Sequence, residues 1–78
     1  MTTIERLQEI FRNVFDDPGL EITRQTAAKD IEDWDSLAQI NLVSESEQEF
    51  KVKFGIADII PLESVGDMVD LIERKINE

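Results

Sequence analysis

The sequence predicts an all-α fold: a small up-and-down bundle of three main helices and one short one, with a long loop between the first two. Three observations carry it. Apolar residues recur at helical spacing in three separate stretches. Each stretch opens on a residue suited to cap a helix. No stretch alternates convincingly as a strand.

The first helix starts at Thr2 or Thr3, where Thr2-x-x-Glu5 fits a capping box. Ile4, Leu7, Ile10, Phe11, Val14 and Phe15 form its apolar stripe, with Glu5, Arg6, Glu9, Arg12 and Asn13 opposite. Asp16-Asp17-Pro18-Gly19 stops it. Residues 20–34 hold no sustained period. Leu20 and Ile22 are expected to tuck into the core, Thr23 and Thr26 to make turn hydrogen bonds, and Ile31 and Trp34 to be the apolar points of an acidic run. A connection this long is usually functional or disordered.

The second helix is expected from about Ser36 to Lys51, with Asp35 as its N-cap. Stepping at 100° per residue places Val43, Phe50 and Ile40 on or near the buried side, with Leu42 and Ser46 at its edge. Leu37, Asn41, Ser44 and Gln48 form a second stripe toward solvent. Val52-Lys53-Phe54-Gly55 ends the helix, with Phe54 expected to be buried. Ile56, Ile59, Ile60 and Leu62 suit a short helix or turn cut by Pro61. Ser64 opens the last helix, and Ser64-x-x-Asp67 resembles a capping box. Val65, Met68, Val69, Ile72 and Ile76 are its buried stripe, and Arg74 and Lys75 complement its dipole.

Composition narrows the function. Seventy-eight residues make one domain, 1–78, with an expected stability of about 4–12 kcal/mol. Eighteen acids against eight bases give a net charge of -10. That opposes binding to nucleic acid or to an anionic membrane, and favours partners with basic docking faces. There is no cysteine and no histidine, which excludes disulfides, thiolate chemistry and His-dependent triads. No apolar run reaches membrane-span length. Met1-Thr2-Thr3-Ile4-Glu5 lacks the basic start and apolar stretch of a signal peptide, so a cytoplasmic location is expected, and a monomer. Asp30, Glu32, Asp33 and Asp35 lack calcium-loop spacing, so no dedicated metal site is expected.

From Asp30 to Phe50 there are seven acids and no Lys or Arg. Within that stretch Ser36 sits in the first turn of the second helix, its hydroxyl open to solvent. No general base is evident to activate it, so the chain is not expected to be an enzyme. By local pattern alone Ser36 is a helix-start serine. An exposed hydroxyl on a single-signed acidic surface suits modification by a basic enzyme.

Asp35-Ser36-Leu37, the helix Leu37–Phe50 with Glu49-Phe50 at its end, and Leu62–Ile72 further on resemble the acyl carrier protein family, over nearly the whole chain. The resemblance implies that Ser36 carries 4'-phosphopantetheine, transferred from coenzyme A by a magnesium-dependent phosphopantetheinyl transferase. The arm's thiol would hold acyl groups as thioesters and deliver them between enzymes of fatty-acid, polyketide or a related specialised pathway. It further implies that acyl-loading and acyl-processing enzymes dock on Asp35, Leu37, Ala38, Asn41, Ser44, Glu45, Glu47 and Gln48. Val43, Phe50, Leu62, Val65, Met68 and Ile72 are core residues first, and the resemblance implies an acyl pocket between the helices with Val43, Ser46, Phe50, Ile59, Leu62 and Met68 as its candidate lining.

The chain departs from the family at several positions. The docking stripe holds Ala38, Asn41, Ser44 and Gln48 where acids and an exposed methionine are usual. Ser46 stands where a buried apolar residue is common, adding a hydroxyl to a pocket wall or turning outward. Trp34 precedes the motif, where it can brace the loop or contact the arm. These departures point to a specialised carrier. Two other readings fit the residues: an aminoacyl or peptidyl carrier, and an unmodified acidic adaptor for a basic partner.

Overall fold

A computed structural model describes residues 2–77. It contains α1 (Thr3–Val14), a 3-10 turn (Ala28–Asp30), α2 (Ser36–Phe50), the single-turn α3 (Ile56–Ile59) and α4 (Val65–Ile76). No strand occurs among the described residues. An isolated antiparallel bridge joins Ala27 to Ser64.

Each main helix starts where a short polar side chain can serve the unpaired N–H groups of the first turn. At α1 the Thr2 hydroxyl accepts from Glu5 N–H at 3.3 Å and the Glu5 carboxylate accepts from Thr2 N–H at 3.0 Å, a complete capping box. That pairing holds the Glu5 carboxyl below the usual carboxylate range, chiefly through the Thr2 backbone N–H. At α4 the Ser64 hydroxyl accepts from Asp67 N–H at 3.2 Å. The Asp67 carboxylate instead accepts from Glu63 N–H, one residue earlier than a capping box requires.

α1 packs against both α2 and α4. Its Leu7, Ile10 and Phe11 are buried and meet Leu42 and Phe50 of α2 and Val65, Met68, Val69 and Ile72 of α4 in one core. Each such side chain contributes about 1.5–3 kcal/mol by leaving water. Ile4, Val14 and Phe15 flank the core half-buried. Of the loop residues expected inside, Ile22 is buried, while Leu20, Ile31 and Trp34 lie half-buried against the core, as does Phe54.

The long loop is fastened rather than draped. Arg12 Nε donates to the Leu20 carbonyl at 2.7 Å, and Ile22 N–H donates to Gln8 Oε1 at 2.9 Å. At its middle, Val65 N–H donates to the Thr26 carbonyl at 2.8 Å and Gly66 N–H to the Arg24 carbonyl at 2.9 Å. The five residues between α3 and α4 turn at Pro61.

The apolar pattern is corrected in both α2 and α4. Ile40 is 63% exposed, because at 100° per residue it lies nearly opposite Leu42, which is fully buried. The buried face of α2 is Ala38, Leu42, Val43, Ser46 and Phe50, so Leu42 and Ser46 form its centre rather than its edge. In α4 Ile76 is half-exposed in the last turn, while Leu71 and Gly66, absent from the expected stripe, are buried.

Candidate functional site

The site grows from the junction of the long loop and α2. Asp35 is extended (φ -108°, ψ -170°) and its carboxylate accepts from Ala38 N–H at 2.9 Å. That bond fixes where the helix begins. Trp34, one residue earlier, stacks edge-on against Phe11 with centroids 5.2 Å apart and donates through Nε1 to Gln39 Oε1 at 2.7 Å. The loop end is thereby tied to α1 and to the first turn of α2 at once. Trp34 braces the loop through these contacts.

Ser36 stands between these two ties at the first helical position. It is exposed, and its hydroxyl makes no hydrogen bond to the described residues. Beside it lies an open cleft of about 270 Å³, where Asp16, Asp33 and Asp35 surround Phe15, Leu37 and Asn41. The hydroxyl is thus fixed in place by its neighbours, open to an incoming enzyme, and set in negative potential. The helix N-terminus behind it suits a phosphate ester. A serine carrying a phosphodiester arm fits this geometry.

Leu37, Asn41, Ser44, Glu45 and Gln48 are exposed along α2, with Leu37 at 66%. Ala38 is not: at 8% exposure it belongs to the packed face, one helical turn before Leu42. Glu47 is half-buried, and its carboxylate accepts from Phe54 N–H at 2.8 Å, closing the turn after α2. Glu49, beyond the expected set, pairs with Arg6 at 3.0 Å. Of the three acids on α2, Glu45 is the one with no ion pair or hydrogen bond to the described residues.

The six expected pocket residues do not meet in one cavity. Val43 and Ile59 line a groove of about 200 Å³ between α2 and α3, together with Gln39, Ile40, Ser44 and Glu47. Leu62 borders a separate cleft with Asp58, Pro61 and Leu71. Met68 is core, and Phe50 is core with the Arg6 guanidinium 4.4 Å from its ring centroid, on the α1 side. Ser46 is completely buried and does not turn outward.

Exposed isoleucines add to this surface. Ile56 and Ile60 are 76% and 75% exposed, four residues apart on and just after α3, and Ile40 faces the same groove as Ile59. Their i, i+4 spacing was a legible signal of one shared face. α3 is held by Asp58, which accepts from Gly55 N–H at 2.9 Å and pairs with Lys75 at 3.1 Å and Arg74 at 3.5 Å. The Gly55 N–H foremost, then Lys75, keep the Asp58 carboxyl below its ordinary range. No described helix is long and apolar enough to cross a membrane.

Comparison with known proteins agrees with this geometry. A family model described as a phosphopantetheine attachment site matches residues 5–72. The solution NMR structure of a holo acyl carrier protein from Geobacter metallireducens matches with a TM-score of 0.91 and 43% sequence identity, covering 99% of this chain and 88% of that one. The chain therefore belongs to the phosphopantetheine-attachment family and is a non-catalytic carrier of the acyl carrier protein type, built to hold a covalent 4'-phosphopantetheine arm.

Proposed function

We propose that Ser36 is the attachment residue and that the chain carries acyl intermediates between the enzymes of a fatty-acid, polyketide or related specialised pathway. The observation that carries this reading is the Ser36 hydroxyl: exposed, without an internal partner, and fixed between the Asp35 cap and the Trp34–Gln39 tie. A phosphopantetheinyl transferase removes the hydroxyl proton as the Oγ–phosphorus bond forms. The pyrophosphate link of coenzyme A breaks, and adenosine 3',5'-bisphosphate leaves. The arm then supplies the thiol that this cysteine-free chain lacks.

The docking face is Leu37, Asn41, Ser44, Glu45 and Gln48, extended by Ile40, Ile56 and Ile60. Its few charges support a specialised partner set that relies on apolar contact more than on ion pairing. Basic groups of those enzymes meet Glu45 on the helix and Asp16, Asp33 and Asp35 at the cleft beside Ser36. The apolar groove at Val43 and Ile59 supports acyl rather than aminoacyl cargo. A single cytoplasmic domain acting as a monomer suits this shuttling role.

Fragment mass spectrometry after treatment with coenzyme A, magnesium and a broad-specificity transferase tests the assignment. The arm is expected on the peptide holding Ser36. An arm on Ser44 or Ser64 instead overturns it.

A further inference from the structure

Two side chains on the loop side of Ser36 hold its surroundings, and they reach different elements. The Asp35 cap joins the loop to α2 alone, through Ala38 N–H. Trp34 joins it to α1 as well. Its ring stands edge-on to the fully buried Phe11 of α1, with centroids 5.2 Å apart and planes at 85°. Its Nε1 donates to Gln39 Oε1 on α2 at 2.7 Å. The chain through residues 34–39 and that bond together close a ring with Ser36 inside it. The Glu32 and Asp33 side chains make no hydrogen bond or ion pair to the described residues, so they do not share this task. Trp34 and Gln39 are both half-buried, where a lost partner is felt more than at an open surface.

We propose that Gln39, acting through Trp34, is a positioning residue for the loading of Ser36: the indole–amide bond holds the Ser36 hydroxyl where it attacks, and so sets how fast the arm is received. The inference rests on the carrier reading of Ser36. In that step the Ser36 Oγ–H bond breaks and its proton goes to a base of the transferase. The Oγ–phosphorus bond forms as the phosphorus–oxygen bond of the coenzyme A pyrophosphate breaks, and adenosine 3',5'-bisphosphate leaves with the electron pair. Gln39 and Trp34 exchange no proton and no bond in it. Their contribution is geometric, because a nucleophile misplaced by about 1 Å can lose on the order of a hundredfold in rate. The docking residues Asn41, Ser44, Glu45 and Gln48 lie beyond the ring. The tie therefore acts on the position of the hydroxyl more than on the hold of the partner.

The test is transfer kinetics at varied protein concentration, with coenzyme A, magnesium and a broad-specificity phosphopantetheinyl transferase. Native protein is compared with Gln39→Leu, Gln39→Glu, Trp34→Phe and the double variant Trp34→Phe with Gln39→Leu. Leucine removes the acceptor and keeps a good helix former. Glutamate keeps an acceptor oxygen, and phenylalanine keeps a ring for Phe11 while removing the donor. Gln39→Leu is expected to lower kcat by on the order of tenfold with KM for the protein near native. Trp34→Phe is expected to fall as far, Gln39→Glu to recover most of the loss, and the double variant to be no slower than the slower single one. A merely structural loss reads differently, since a smaller folded fraction raises the apparent KM and leaves kcat alone. Native kcat in Gln39→Leu overturns the proposal, as does a defect confined to KM, or a Gln39→Glu as slow as Gln39→Leu. Failure of the native protein to accept any arm is a separate result, visible in its intact mass. It refutes the carrier reading and takes this inference with it.

Discussion

Asp35 and Lys51 close the two ends of α2 by opposite means. The Asp35 carboxylate caps the first turn, and Asp35→Ala is expected to lower stability by about 1 kcal/mol in urea unfolding. Lys51 ends the helix in the left-handed region (φ 57°, ψ 47°), which a side chain opposes and glycine does not. Lys51→Gly should therefore stabilise the protein, by about 0.5–1 kcal/mol. A loss of stability in the same urea series would show that the Lys51 side chain makes up for its strained backbone. The cap was legible in the sequence, because aspartate before an apolar period is a start signal. The left-handed lysine was not. Its conformation is imposed by the turn beyond it, where Glu47 accepts from Phe54 N–H. Ala38 and Ile40 were misread for a related reason: alanine gives no direction to a helical face, and isoleucine reads as core, although here it is exposed beside the groove between α2 and α3.

At the scale of elements, the loop and α4 meet closely. A Cβ added at Gly66 would stand 2.9 Å from the Arg24 carbonyl oxygen, a backbone atom that cannot swing aside. Gly66 N–H donates to that same oxygen, and Arg24 also pairs with Asp70 at 3.0 Å. Gly66→Ala is expected to cost about 1–3 kcal/mol, with faster amide exchange at residues 24–27. An unchanged exchange pattern there would contradict it. α3 has its own anchor in Asp58. Because its folded pKa is lowered, the stabilisation it gives is fully present above the ordinary carboxylate pKa and is lost as pH falls through the lower folded value. Amide signals of 55–60 should shift with an acidic midpoint in that lower range, and the shift should vanish in Asp58→Asn. A midpoint at the ordinary aspartate value would refute the anchoring. The helices themselves were plain in the periodicity. The ties between Thr26 and Val65 and between Arg24 and Gly66 were not, since backbone bonds across forty residues leave no trace in local composition.

For the whole molecule, charge dominates. Arg6, Arg12, Arg24, Arg74 and Lys75 are held in ion pairs, and a net charge of -10 remains. Exposed pairs contribute about 0–1 kcal/mol each, so they do not offset the repulsion of so many acids on 78 residues. Added magnesium or calcium, or raised sodium chloride, is expected to raise the melting temperature; a temperature unchanged from low salt would count against it. The bundle and its long loop were readable from pattern alone. The meaning of Ser36 was not, because an unpartnered serine at a helix start is common, and the family resemblance gave it a role. The structure adds the reason this serine suits that role: its neighbours Asp35 and Trp34 are committed to fixed partners while its own hydroxyl is not. It also separates the expected pocket residues: Phe50 and Met68 lie in the core with α1, whereas Val43 and Ile59 line the groove between α2 and α3.

The most direct measurement is the intact mass of native protein and Ser36→Ala, before and after incubation with coenzyme A, magnesium and a competent phosphopantetheinyl transferase. The account predicts a single phosphopantetheinyl addition to the native protein, or its presence as isolated, and none on Ser36→Ala. A folded native protein that stays unmodified, or a Ser36→Ala variant that still gains the arm, would contradict it.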